Sequence, residues 1–201
     1  MAETKKRTIR NNLILAGCLF VLYTATYLID LFTFQSMAFF SYFETAGTLL
    51  AVTVLLHRMD TMYFAGLTFF AFIAQYGGTM FNLYTVIPIY DLILHLASGC
   101  LLLFFGHYFL GLILKRHPEV TLPRSLTLWF CWFFSVACAA IWEIFEFSVD
   151  QLFGFDSQIR GSGVMDTMTD VIAGTAGAVL GIFLLRYLII RIERKKGSQI
   201  Q

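Results

Sequence analysis

The sequence predicts an all-α integral membrane bundle of six transmembrane helices with both termini in the cytoplasm. Three observations lead there. Of the 201 residues, 58% are hydrophobic and only 13% charged, with a mean hydropathy of +0.74. So few charges cannot cover that much apolar surface in water, so most of the chain must be solvated by lipid. The apolar residues gather into six stretches that reach or approach the ~20 residues a spanning helix needs. Finally, once those stretches are threaded through a membrane, all the Lys and Arg but one fall on the same side.

The spans are expected at Leu13–Phe32, Met37–Leu56, Met62–Asn82, Ile87–Leu114, Leu126–Val149 and Val164–Ile190, within a single transmembrane domain of residues 1–201. In the first, Leu15-Ala16-Gly17-Cys18 imitates a lipobox after the basic run Lys5, Lys6, Arg7 and Arg10. The apolar run before Cys18 is shorter than the roughly 7–15 residues of a signal core, and it continues past the cysteine, so an uncleaved span is expected. The third is interrupted near its outer end by Gln75, Gly77 and Gly78. Pro88 suits the first turn of the fourth, where a missing N–H is not required. Pro118 and Pro123 fall in the loop before the fifth. Cys18, Cys100, Cys131 and Cys138 all lie inside apolar stretches without metal-ligand spacing and read as packing residues.

Orientation follows from the basic residues. Lys5, Lys6, Arg7, Arg10, Arg58, Lys115, Arg116, Arg124, Arg186, Arg191, Arg194, Lys195 and Lys196 share the inner side, leaving Arg160 alone outside. The acids sort the opposite way. Asp30 ends the first span on the outer side, Glu44 lies two turns into the second, and Asp91 opens the fourth with His95 one turn deeper. Glu143, Glu146 and Asp150 close the fifth span, and Asp166 and Asp170 open the sixth. At ~1.5 Å per residue, Glu143 stands roughly 26 Å from the inner end of its helix, just beneath the outer boundary of a ~30 Å hydrocarbon core.

Helical geometry aligns these groups. An advance of about 100° per residue puts Glu143, Glu146 and Asp150 within an arc of roughly 60°. Asp91 and His95 share a face, as do Asp166 and Asp170, whose stripe continues through Gly174, Gly177 and Gly181. Small residues let helices approach closely in membranes, so this stripe is expected to pack on a neighbouring span, most simply the fifth.

Ionisable groups at membrane depth are costly and are functional candidates by default. Structural roles compete at several positions. Asp91 and Asp166 complement the dipole of a first helical turn, while Asp30, Asp150 and Asp156 fit a wet interface. Glu44 is a lone acid within a span. Glu143 and Glu146 lie near a helix C-terminus, where the dipole opposes negative charge, which favours function. Several carboxylates in low dielectric cannot all stay ionised without compensation by protons, a bound cation or a cationic substrate. Carboxylate–histidine sets at i, i+3 or i, i+4 on several helices resemble metal sites built inside helix bundles. Oxygen-rich sites with one imidazole suit Mg²⁺, Mn²⁺ or Zn²⁺. Glu143-x-x-Glu146 lacks the histidine of a di-iron motif, so a di-iron oxidase is not expected.

Three motifs carry a resemblance. Tyr90-Asp91-x-x-x-His95, Trp142-Glu143-x-x-Glu146, and Asp166-Thr167-Met168-x-Asp170 followed by Gly177-Ala178 look like the YjdF-like family of small bacterial membrane proteins. A weaker likeness is to VanZ-like proteins, which share the Asp-then-Gly ending of a late helix and imply an association with the cell envelope and glycopeptide tolerance. This chain lacks a clear Glu-x-x-Gln partner before its last helix. Neither resemblance implies a mechanism.

The expectation is therefore a multi-pass protein of the bacterial cytoplasmic membrane with a metal site open to the outer leaflet. Asp91, His95, Glu143, Glu146, Asp166 and Asp170 would be its ligands, and Glu143, Glu146 and His95 its catalytic groups. Arg160, Gln158 and Glu44 would contact a substrate drawn from membrane lipids or lipid-linked envelope precursors, since arginine matches phosphate geometry. A structural pairing of Arg160 with Asp156 or with the cluster is the plainer alternative. No nucleic-acid partner is expected. Two other classes remain: a divalent-cation or proton-coupled transporter, and a non-catalytic scaffold or immunity-type factor. No ionisable residue lies clearly in the inner half of the spans, so an exit path for a transported ion is missing.

Overall fold

A computed structural model describes the backbone of residues 2–154 and 163–197, and the side chains of 3–154 and 163–188. The described residues are helical, with no strand among them, and fall into two compact units, Met1–Tyr90 and Asp91–Gln201. Among the described residues five segments are long and apolar enough to cross a membrane: Glu3–Thr33, Phe39–Leu56, Tyr90–Leu114, Arg124–Phe153 and Gly163–Leu188.

The first unit begins with α1 (Ala2–Thr33), which starts well before the apolar run because Lys and Arg are good helix formers. It turns at Asp30, whose carboxylate accepts from the Ser36 hydroxyl at 2.5 Å and the Met37 N–H at 2.7 Å, fixing the entry to α2 (Phe39–Leu56). Asn12, fully buried, donates from Nδ2 to the carbonyls of His57 and Met59, both at 2.9 Å, and so ties α1 to the turn after α2. Asp60 then caps α3 (Thr61–Ala71) by accepting from the Met62 N–H.

The third predicted span is not one regular α-helix. It runs as α3 and then, without a break, as a π-helix over Phe72–Met80, 9 residues long. Such segments are rare and short in proteins. Here their wider-spaced carbonyls find side-chain donors. The Tyr90 hydroxyl bonds Ile73 O at 2.7 Å, and the Thr45 hydroxyl reaches Gln75 O at 3.3 Å. Tyr76 stacks between Phe72 and Tyr23, with ring centroids 4.7 and 5.1 Å apart. Asn82, at φ 56°, ends the segment, and a single turn, α4 (Leu83–Val86), follows. Pro88 lies in the turn ahead of α5 (Tyr90–Leu114), not in its first helical turn.

The second unit consists of α5 from Asp91 onward, α6 (Arg124–Phe153) and α7 (Gly163–Gly197). Gly154, at φ +69°, closes α6 in the left-handed conformation that favours glycine. The core on this side of the chain is Leu103, Cys131, Ala178 and Leu185, with Trp132 and Ile182 against it. Of the cysteines, Cys131 packs in that core while Cys18 is exposed.

As expected, α7 packs along α6, the fifth expected span, but the deepest part of its glycine stripe, Gly177 and Gly181, meets α5, the fourth. A Cβ at Gly177 would collide with the Leu96 carbonyl, and one at Gly99 with the Gly174 carbonyl. Glycines from both helices thus let the two backbones touch. On the α6 side a Cβ at Gly174 would come within 3.1 Å of the Ala139 methyl, an ordinary tight packing of side chains. The reason is that α5 presents a glycine of its own to the stripe, whereas α6 presents alanine.

Candidate metal site

The close contact of α5 with α7 brings Asp91 and His95 beside Asp170, and α6 adds Glu143. The Nε2 atom of His95 stands 3.5 Å from Asp91 Oδ1, 3.8 Å from Glu143 Oε1 and 4.0 Å from Asp170 Oδ2. One ligand atom each from Asp91, His95 and Asp170 lies within 4.8 Å of the others. These separations are too long for hydrogen bonds. The distances from His95 fall within the ~3–4.2 Å between ligand atoms that share one ion at about 2.1 Å, and only the 4.8 Å limit of the triad slightly exceeds it.

Burial makes the arrangement expensive. Glu143 and Asp170 are each 4% exposed and His95 7%. Both carboxylate oxygens of Glu143 are buried without a hydrogen-bond partner. Thr167 is close enough to act on Glu143 electrostatically but is not in hydrogen-bond geometry. A buried unpaired carboxylate costs several kcal/mol unless a proton or cation compensates it. The backbone around the site is, by contrast, satisfied. Ser98 donates to His95 O at 2.8 Å and Ser135 to Gly99 O at 2.7 Å, which holds α5 to α6 just below the cluster.

Two further acids stand around this core. Glu146, half-buried one turn further along α6, accepts from the Trp142 indole N–H at 2.8 Å and lies in electrostatic reach of Glu143, Asp91 and Asp170. Asp166 is half-buried and in reach of Asp91 and Asp170. Of the proposed substrate contacts, Glu44 is exposed on α2 in the first unit, and Gln158 and Arg160 lie outside the described residues.

Sequence reasoning missed three side chains. Trp142 was read only as part of a motif, although an indole one turn before Glu146 is a donor in the right place. Thr167 was given no role beside Glu143. His107, half-buried in the second half of α5, is an ionisable group where none was expected. At about 100° per residue it stands roughly 120° around the helix from His95, so it does not continue the cluster's face.

A family model described as a predicted membrane protein (DUF2238) matches residues 11–191. The chain belongs to that family. The match spans α1 to α7 and includes every residue of the cluster. Nothing among curated proteins or solved structures matches the chain. The family therefore supplies the membrane setting, and the chemistry rests on the side chains. One imidazole and several carboxylates, held in a dry interior without thiolates, suit a hard or borderline divalent cation.

Proposed function

We propose that this protein binds a divalent cation at Asp91, His95, Glu143 and Asp170 and acts there on a lipid or lipid-linked envelope substrate in the bacterial cytoplasmic membrane. The observation that carries the reading is Glu143. A carboxylate this buried, with two orphaned oxygens turned to an imidazole and two further carboxylates, lacks only a positive partner. Asp166 and Glu146 complete the ligand set or act beside it.

The depth of the cluster supports a substrate in the bilayer. Counting ~1.5 Å per residue, His95 lies about 8 Å from the start of α5, Asp170 about 10 Å from the start of α7, and Glu143 about 15 Å from the end of α6. Those depths put the cluster in the half of each span nearer the α6–α7 connection. In this reading α3 and its π-helical continuation make the sixth crossing. Both termini are then cytoplasmic. A cation there would polarise a phosphoryl or carbonyl oxygen and acidify a coordinated water.

The test is elemental analysis of the detergent-purified chain before and after chelation, joined to thermal unfolding. Stoichiometric metal and a melting temperature that falls on chelation are expected. Saturation at 100-fold over Kd stabilises a fold by about 2.7 kcal/mol. Metal-free protein with unchanged melting in added Mn²⁺, Zn²⁺ or Mg²⁺ would leave protons as the counter-charge and end the metal reading.

A further inference from the structure

We infer that the centre is dinuclear, with Glu143 bridging two divalent cations. This rests on the metal reading above and asks how many ions the site takes. Three observations converge. Glu143 has both of its oxygens buried and unpartnered, and a single cation bound monodentate through Oε1, the oxygen nearer His95, leaves Oε2 orphaned. A carboxylate that bridges two ions satisfies both atoms at once.

The donors also divide into two groups. Asp91, His95 and Asp170 lie mutually within ligand reach and form the first position. Glu146 projects from α6 one turn beyond Glu143. One of its oxygens is fixed by the Trp142 indole at 2.8 Å, which orients the carboxylate and leaves the other oxygen for a second ion. A donor-only indole bonded to a carboxylate is what outer-shell support of a ligand requires.

Charge gives the third argument. Asp91, Glu143, Glu146 and Asp170 bring four negative charges when ionised, and among the described residues no Lys or Arg pairs with these four. One divalent ion leaves a deficit of two charges in a low-dielectric interior. Two divalent ions neutralise these four, and Asp166, in reach of Asp91 and Asp170, adds a fifth carboxylate that one ion would leave still further uncompensated. Paired ions ~3.5–4 Å apart are also the usual arrangement for displacements at phosphoryl groups, in which both the attacking and leaving oxygens are stabilised.

The experiment is Mn²⁺ titration of the chelator-treated full chain in detergent micelles. Bound metal is counted after desalting, and the electron paramagnetic resonance spectrum is recorded at each step. Two Mn²⁺ per chain with an exchange-coupled spectrum at saturation are expected. Glu146→Gln should retain one ion and lose the coupling. Trp142→Phe, which keeps the ring and removes the donor, should weaken the second binding step roughly 10-fold or more and leave the first unchanged. A wild-type chain that saturates at one uncoupled Mn²⁺ overturns the dinuclear centre while the metal reading stands. Saturation at none removes both. Two ions with Glu146→Gln still binding two would place the second ion elsewhere and likewise overturn the assignment.

Discussion

The two units of this chain bury polar side chains to opposite ends. In the first, Asn12 spans two backbone carbonyls from neighbouring turns, and Asp30 closes the turn between α1 and α2 on Ser36 and Met37. Thr68 bonds the carbonyl of Phe64 within its own helix. Each of these side chains has a backbone partner and holds an element in place. In the second unit, His95 stands 3.8 Å from Glu143 and 4.0 Å from Asp170, and among the described residues none of these three side chains hydrogen-bonds the backbone. Equal burial therefore means different things. A polar group that answers the backbone stabilises the fold, whereas groups that answer only each other are stable once something joins them. Substitutions at the two kinds of site should differ in sign as well as in size.

The largest effect should come from breaking the packing that creates the second kind of site. Gly177→Leu would drive a side chain into the Leu96 carbonyl, where neither backbone can retreat without separating α5 from α7. A loss of about 3 kcal/mol or more is expected, together with loss of bound metal. Gly111→Leu, at a glycine of α5 with open space around it, is the matched control and should melt near wild type. If Gly177→Leu kept both stability and metal, the backbone contact would not be what assembles the cluster.

Next comes Asp30→Ala. It removes a charged acceptor from two close hydrogen bonds at the α1–α2 turn, and the melting temperature should fall by the same amount with or without chelator. Glu143→Gln is the contrasting case. In chelator it should melt at or above the wild type, by up to about 1 kcal/mol, because an unpaired buried charge has been taken away. In saturating metal the order should reverse, since the substitution removes a ligand. Two parallel melting series for each variant decide the matter. Destabilisation of Glu143→Gln in chelator would mean that the carboxylate already has a structural partner, and the contrast between the units would fail.

Much of this contrast could be read from the sequence, though not its details. Hydropathy located five segments that the structure also forms, because a spanning helix must be apolar over its whole length. Helical periodicity placed Asp91 with His95 and Asp166 with Asp170. It could not say which member of each pair turns inward, because that depends on the rotation of α7 against α5. That rotation is set by the reciprocal contact at Gly99, a glycine with no partner visible in one dimension. Hydropathy is also blind to polar helix, so it cut α1 short at Leu13 and α7 at Ile190, although Lys- and Arg-rich segments extend both. The π-helix over Phe72–Met80 left only a faint trace, the polar break at Gln75, Gly77 and Gly78. The hydroxyls of Tyr90 and Thr45 that serve its carbonyls are distant in sequence.

The smallest effect should come from Tyr76→Phe, which tests whether the polar groups of the first unit are structural alone. The Tyr76 ring is held between Phe72 and Tyr23, and its hydroxyl is paired with Thr26 at 2.8 Å. Phenylalanine keeps the stacking area and removes only the hydrogen bond, so about 0.5–1 kcal/mol should be lost. Thr26 is left with a hydroxyl that can turn to a carbonyl of its own helix, as Thr24 does toward Phe20 O at 2.9 Å, which keeps the penalty at the low end. Metal content and the response of melting to chelator should match wild type, because this ring belongs to the unit whose polar groups answer the backbone and one another. A Tyr76→Phe protein that melted only slightly lower yet bound less metal would show that the π-helix region controls the carboxylates of the second unit. The division between a structural and a metal-binding unit would then have to be given up.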